Sequence, residues 1–378
     1  MKRITSLLLV LALFISMSYL SFAESASIST INESKNQNPY VQAYFGEKGE
    51  DLKSNALAAT KASDQLVADP NEEEKIIIST LEEYYQEDMK VAELLKNYCE
   101  ESVCSKILKP NKQDKTDTML KIKDIYYSLN DTEQNVLKGY ISRYVTASDN
   151  NLLKEFYTQI KNNSNSLEVS SSEISSSQVG AEINTIATYT GYNDLQAANW
   201  AYNNYQNTAT TNYPYFDSSI YGSDCANFVS QAMHEGGGMP MMGNWYCNKK
   251  NSTYPIPANA TQLNYSWSLS DPSPWISVTS LKSFLDGISP MALSFSYTKA
   301  EYVTNHATIY NSSITLGSVV LLCKGLSWVQ LPTHAMIISR YDSINRDFLL
   351  AAHSNPRRDH PLLTAIDSYA GVIFYRIN

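Results

Sequence analysis

Between Asn162 and Gly180 the chain carries 8 serines in 19 residues and almost no apolar side chains. Such a segment cannot offset its ordering entropy by burial, so residues 162–180 read as a linker. It divides the chain into two unlike parts. The part before it contains no histidine, whereas all five histidines follow it, together with most of the glycine and tryptophan. With 378 residues, 43% of them hydrophobic, each part is long enough to bury a core of its own. A formal net charge of −9 argues against nucleic acid as a partner, because counterion displacement needs a basic face.

The first residues read as an address. Met1-Lys2-Arg3 is followed by an apolar run from Ile4 to Leu20 and by small residues at Ser21 and Ala23. This is the pattern of a secretory signal peptide over residues 1–23. The expectation is therefore a secreted or cell-envelope protein with no stable membrane insertion after cleavage. Five cysteines in a secreted chain leave at least one thiol outside any intramolecular disulfide. Cys99 and Cys104 could pair only where a helix ends. No CxxC pair or His/Cys cluster has metal-ligand spacing, so no metal and no cofactor is expected.

Residues 50–161 read as an all-helical region. Ser79-Thr80-Leu81-Glu82 has the form of a capping box. After it Leu81, Tyr84, Val91, Leu94, Leu95 and Tyr98 recur at helical spacing. Asn130-Asp131-Thr132-Glu133 offers a second start, with Val136, Leu137, Tyr140, Ile141 and Tyr144 as its apolar stripe. Nothing in this region joins a nucleophile to a base. It is expected to be a spacer or a module that binds a protein partner.

The chemistry lies after the linker. In Asp224-Cys225-Ala226-Asn227-Phe228-Val229-Ser230-Gln231, Asp224 reads as an N-cap and Gly236 as the residue that closes the helix. Cys225 then falls in the first turn, where unpaired N–H groups and the helix dipole stabilise a thiolate and can hold an oxyanion. A buried structural cysteine is the ordinary alternative. His234 is nine residues further along the same helix and cannot reach the sulfur. His334 opens an apolar run after the turn Leu331-Pro332-Thr333. His353 ends the run Asp347 to His353, and the short connection Asp342 to Arg346 makes the two a hairpin. On this reading His334 is the base and His353 orients its ring, with Asn355 as the fallback for that role.

These motifs, with Trp245-Tyr246, Thr333-His334-Ala335-Met336-Ile337-Ile338 and Ala352-His353-Ser354, resemble the putative amidase domain of secreted Gram-positive proteins. That family is a distant relative of the NlpC/P60 and CHAP cysteine hydrolases. The resemblance covers residues 185–378. It implies an α+β, papain-like cysteine hydrolase domain in which the nucleophile helix packs on an antiparallel sheet. It also implies hydrolysis of amide bonds, with peptide or peptidoglycan-like substrates usual in the wider superfamily. Asp224 would bind a substrate ammonium besides capping its helix. Trp245, Tyr246 and Trp275 are candidates to line the cleft, with aromatic core packing the more ordinary reading for any single one. One departure is Gly317-Ser318, where the family has Gly-Asp. Two alternatives stay open: a binding module that lost its chemistry, and a transglutaminase-type acyltransferase using Asp342 or Asp347.

Overall fold

The computed structural model describes residues 38–55, 70–169, 191–216, 224–288, 291–354 and 356–378. The segment 1–23 and most of the serine-rich stretch lie outside them.

The first half is helical: α1 (Pro39–Asn55), α2 (Pro70–Leu95), α3 (Glu101–Ile107), α4 (Lys112–Ile125), α5 (Asp131–Tyr144) and α6 (Asn151–Val169). The expected start at Asn130 is present as a reciprocal capping box with Glu133. The one expected at Ser79 is absent, because α2 begins at Pro70 and runs through it without a breaker. Leu81, Tyr84, Val91 and Leu95 are buried, but Tyr98 lies beyond the helix and is exposed. Helix α6 continues to Val169, eight residues into the serine-rich segment.

A charged cluster sits in this helical core. Asp88 accepts hydrogen bonds from Lys115 Nζ, Arg143 Nη2 and Tyr144 Oη, each at 2.7 Å, and from Tyr40 Oη. Asp88 and Lys115 are fully buried, so their mutual satisfaction is what makes the burial tolerable. Desolvation outweighs the Asp88 charge and lowers Lys115 to about 8.

The second half is built on a six-stranded antiparallel sheet of order β3-β8-β4-β5-β6-β7. Its strands are β3 (Ala292–Thr298), β4 (Val319–Leu326), β5 (Val329–Asp342), β6 (Asp347–Ala352), β7 (Arg357–Pro361) and β8 (Gly371–Ile377). A two-stranded ribbon, β1 (Asn248–Lys249) with β2 (Trp267–Ser268), stands apart. Alternation along the strands gives the sheet two apolar faces. Val319, Leu321, Ala335, Ile337 and Ala351 pack with Cys225, Phe228 and Val229 of α8 (Asp224–Gln231) and with Ala197 and Ala201 of α7 (Asp194–Asn204). Val320, Leu322, Met336, Ile338 and Leu350 pack on the other side against Tyr302, Ile309 and Leu362. The domain is thus α+β, with helices on both faces.

Two local features depart from expectation. Leu331-Pro332-Thr333 is strand: Leu322 pairs with His334 and Cys323 with Pro332, which leaves Thr333 as a bulge. A bulge is where a sheet tolerates proline. The helix after Cys225 does not close at Gly236 as an α-helix but passes into a π-helical turn over Ala232–Gly236. Gly237 follows because a Cβ there would lie 2.1 Å from the Tyr192 ring.

The halves share a core. The turn between β4 and β5 enters the helical region, where Trp328 is fully buried with Val329 and Leu331. Its ring lies 4.8 Å from that of Tyr40 and stacks 6.1 Å from that of Tyr144. Polar bonds also join the halves, from Ser327 N to Glu47 Oε2 at 2.9 Å and from Ser142 Oγ to Asp286 Oδ2 at 3.0 Å.

Candidate active site

Apart from its last residue Gln231, helix α8 is apolar except for Asp224, Asn227 and Ser230, spaced at i, i+3 and i+6 and therefore on one stripe. All three are buried, and each is bonded. Asn227 donates from Nδ2 to Asp224 Oδ1 at 2.9 Å and to Pro214 O at 2.8 Å, while its Oδ1 accepts from Trp275 Nε1 at 3.0 Å. Ser230 Oγ accepts from Trp245 Nε1 at 3.0 Å and donates to Trp275 O. The stripe fixes the helix against the loops that carry the two tryptophans.

Asp224 is the first residue of the helix. Its Oδ1 also accepts from Phe216 N at 3.2 Å, and its Oδ2 lies 2.7 Å from His353 Nδ1. With 2% of its surface exposed and both oxygens engaged inside the protein, it has none open to a substrate ammonium, contrary to the sequence reading. Trp245 and Trp275 take the core reading rather than the cleft one: each is fully buried, with its indole N–H spent on the α8 stripe. Tyr246 is half-buried.

His353 leaves the end of β6 on the Cys225 side of the sheet, the side of Ala351. Its ring stacks on Phe228 at 4.2 Å and 24°. Nδ1 meets Asp224 Oδ2, and Nε2 lies 3.1 Å from Asn204 O at the end of α7. Both partners are acceptors, so the geometry is satisfied by a ring that carries both N–H protons. Cys225 adjoins Asp224 in this turn and is itself buried, 1% exposed.

His334 does not join this group. Its register partner is Leu322, whose side chain belongs to the opposite apolar layer with Val320 and Met336. Directly paired residues share a face, so His334 points away from α8. Its electrostatic neighbours agree: Arg357 and His360 pair with Ala352 and Leu350, also members of that layer. Burial first, then the charges of Arg357 and His360, hold His334 down to about 4. The expected bond by which His353 would orient His334 is replaced by the bonds to Asp224 and Asn204. The two histidines are neighbours along the β5–β6 pairing, in which Ile337 meets Ala351, but offset by one residue. An offset of one reverses the face. Asn355 lies outside the described residues.

The other histidines are engaged elsewhere. His234 Nδ1 lies 2.6 Å from Met239 O at the far end of the Cys225 helix. His306 Nδ1 lies 3.0 Å from Val303 O on the helix Lys299–Tyr310. All five cysteines are free thiols. Burial pushes those of Cys247 and Cys323 up to about 12, as structural thiols. Among the described residues no group of three or more His, Cys, Asp or Glu side chains is arranged to hold a metal ion. No described helix is long and apolar enough to cross a membrane.

Sequence reasoning missed Asn204, Asn227 and Phe228. The polar stripe on an otherwise apolar helix was the available signal for Asn227, since buried polar side chains at such spacing need partners. Nothing local marked Asn204, which acts through its backbone carbonyl.

The arrangement offers a thiol at a helix start and, through Asp224, a histidine held one residue away. Residues 191–376 match the model of one protein family, described as a putative amidase domain. No curated protein and no solved structure matches the chain.

Proposed function

We propose that this chain, whose residues 191–376 match the putative amidase domain model, is a secreted, papain-like cysteine amidase acting on peptide amides of the cell envelope. That match supports an amide-hydrolysing enzyme. The observation that carries the cysteine mechanism is the Asp224–His353 bond, which anchors an imidazole to the residue before Cys225.

The chemistry is acyl transfer. Cys225 Sγ, as thiolate, attacks the amide carbonyl carbon, and N–H groups of the first turn of α8 hold the oxyanion. The C–N bond then breaks as His353 Nε2–H, held by the Asn204 carbonyl in this structure, passes its proton to the departing amine. Water next attacks the thioester while His353 takes back one proton, releasing the acid and restoring the pair. Asp224 keeps Nδ1 protonated and the ring in place throughout. Phe228 supplies the flat apolar support that fixes the ring plane. His334 has no step here: it lies on the other face, and a base held near 4 is a poor proton holder for a thiol.

The test is iodoacetamide labelling of Cys225 across pH, read by peptide mass spectrometry in wild type, His353→Ala and His334→Ala. Labelling that persists well below the ordinary thiol value of about 8.5, and is lost only in His353→Ala, supports the assignment. Loss only in His334→Ala would transfer the base role to that residue. An ordinary thiol profile in all three would remove the thiolate pair, and with it the mechanism.

A further inference from the structure

Two arginines converge on α7 beside this site. Arg340 of β5 and Arg358 of β7 both lie on the Tyr202 ring of α7, in a protein whose formal net charge is −9. Their situations differ. Arg340 is held: Nη1 donates to Asn199 Oδ1 at 3.1 Å and to Ser339 O at 2.8 Å, and its guanidinium lies 3.8 Å from the centre of the Tyr202 ring. Arg357, between them in sequence, belongs to the His334 face, where its Nη1 lies 3.0 Å from His360 Nε2. Arg358 stacks on two rings, Tyr202 at 4.8 Å and Tyr205 at 5.0 Å, yet its side chain stays 44% exposed. The carboxylate it meets is that of its own neighbour Asp359, at 4.0 Å and equally exposed, which is a weak, solvent-screened pair.

Tyr202 and Tyr205 bracket Asn204, whose carbonyl holds His353 Nε2. Arg358 is therefore tied to the site through a short chain: Arg358 on Tyr205, Asn204 beside it, then His353, Asp224 and Cys225. Two stacked rings immobilise a guanidinium while leaving its N–H fork available, and such a fork matches a planar carboxylate. Two guanidinium groups on the single Tyr202 ring also repel each other, which an incoming anion relieves.

We infer that Arg358 is a substrate-binding residue that receives a free carboxylate flanking the scissile amide, so that the preferred substrates are acidic peptide amides. This rests on the cysteine-amidase reading and deepens it. Arg340, bonded to the protein, serves as the second positive charge behind it.

Two alkylating reagents that differ only in a carboxylate test the inference without knowledge of the natural substrate. The rate of Cys225 labelling by iodoacetate is divided by that by iodoacetamide in the full chain, so that thiolate reactivity cancels. In Arg358→Gln the ratio falls about fivefold, and Arg358→Lys keeps part of the preference. An equal ratio in wild type and Arg358→Gln overturns the inference while leaving the cysteine mechanism standing. If neither reagent labels Cys225, it is the cysteine reading that fails. The carboxylate site is then read by NMR, titrating N-acetylglycine against N-acetylglycinamide and following the Arg358 guanidinium signals. Shifts with the acid alone, abolished in Arg358→Gln, support the site. Identical responses to acid and amide overturn it.

Discussion

His353 Nδ1 lies 2.7 Å from Asp224 Oδ2, joining the end of strand β6 to the first turn of the helix that carries Cys225. Both groups are buried, so the bond is shielded from solvent and salt. A double-mutant cycle on Asp224→Asn and His353→Gln should return a coupling of about 1–3 kcal/mol in urea unfolding. Asp224→Asn faces the His353 ring with an amide that can donate where the carboxylate accepted, whereas the pair of amides can bond to each other. Asp224→Asn with His334→Ala should instead add to within about 0.5 kcal/mol, because the sheet separates them. Coupling in the second cycle and none in the first would contradict the face assignment.

Trp328 makes the two halves one unfolding unit. Trp328→Ala empties the pocket between Tyr40, Tyr144 and Lys115 and should cost about 3–5 kcal/mol. The loss should appear equally in a probe of the helical half and in one of the sheet half, within one cooperative transition. Separate transitions in the wild-type chain would show that the shared core does not couple them. A chain lacking the helical half would expose Trp328, Val329 and Leu331 together, and should aggregate or unfold at temperatures where the full chain is folded.

Much of this fold is legible from local pattern. The Asn130 capping box, the hairpin of β5 and β6 and the helix opening at Asp224 all follow from spacing and turn residues. What local pattern does not carry is which way a side chain faces when a strand continues past an expected turn. Leu331-Pro332-Thr333 looks like a stop, and the bulge that keeps it in the sheet depends on pairing with a strand read separately. Reading His334 and His353 as adjacent was correct along the backbone, yet a one-residue offset separates them by the thickness of the sheet. Trp328 gave no sign of its role, because its ring partners Tyr40 and Tyr144 lie far earlier in the chain, in the helical half.

His334 gives stability an acid-side slope. Its folded value of about 4 lies below the ordinary 6.5, so between those values the unfolded chain binds more protons. Stability is therefore undiminished above pH 6.5 and falls as pH drops toward 4, by about 3 kcal/mol at most. His360 is lowered by burial and Arg357, and acts in the same direction. Urea midpoints at pH 7 and pH 4.5 should differ less in His334→Phe than in wild type. An unchanged difference would place His334 in water.

Glu83 acts from the alkaline side. Burial first, then the charges of Glu87, Asp271 and Glu82, raise its carboxyl from 4.5 to about 7. Asp271 belongs to the second half, so this crowding of like charges spans the seam between the halves. A carboxyl raised on folding favours the folded state while protonated. Its contribution is full below pH 4.5 and is lost as pH rises through about 7, an effect of about 1–3 kcal/mol after allowance for partial solvent access. Glu83→Gln removes the ionisation and keeps the shape, so its stability relative to wild type should grow from pH 5 to pH 8. Guanidinium chloride or urea melts at those two pH values measure the change. A constant difference between the two proteins would mean that Glu83 ionises normally and that the seam carries no charge strain.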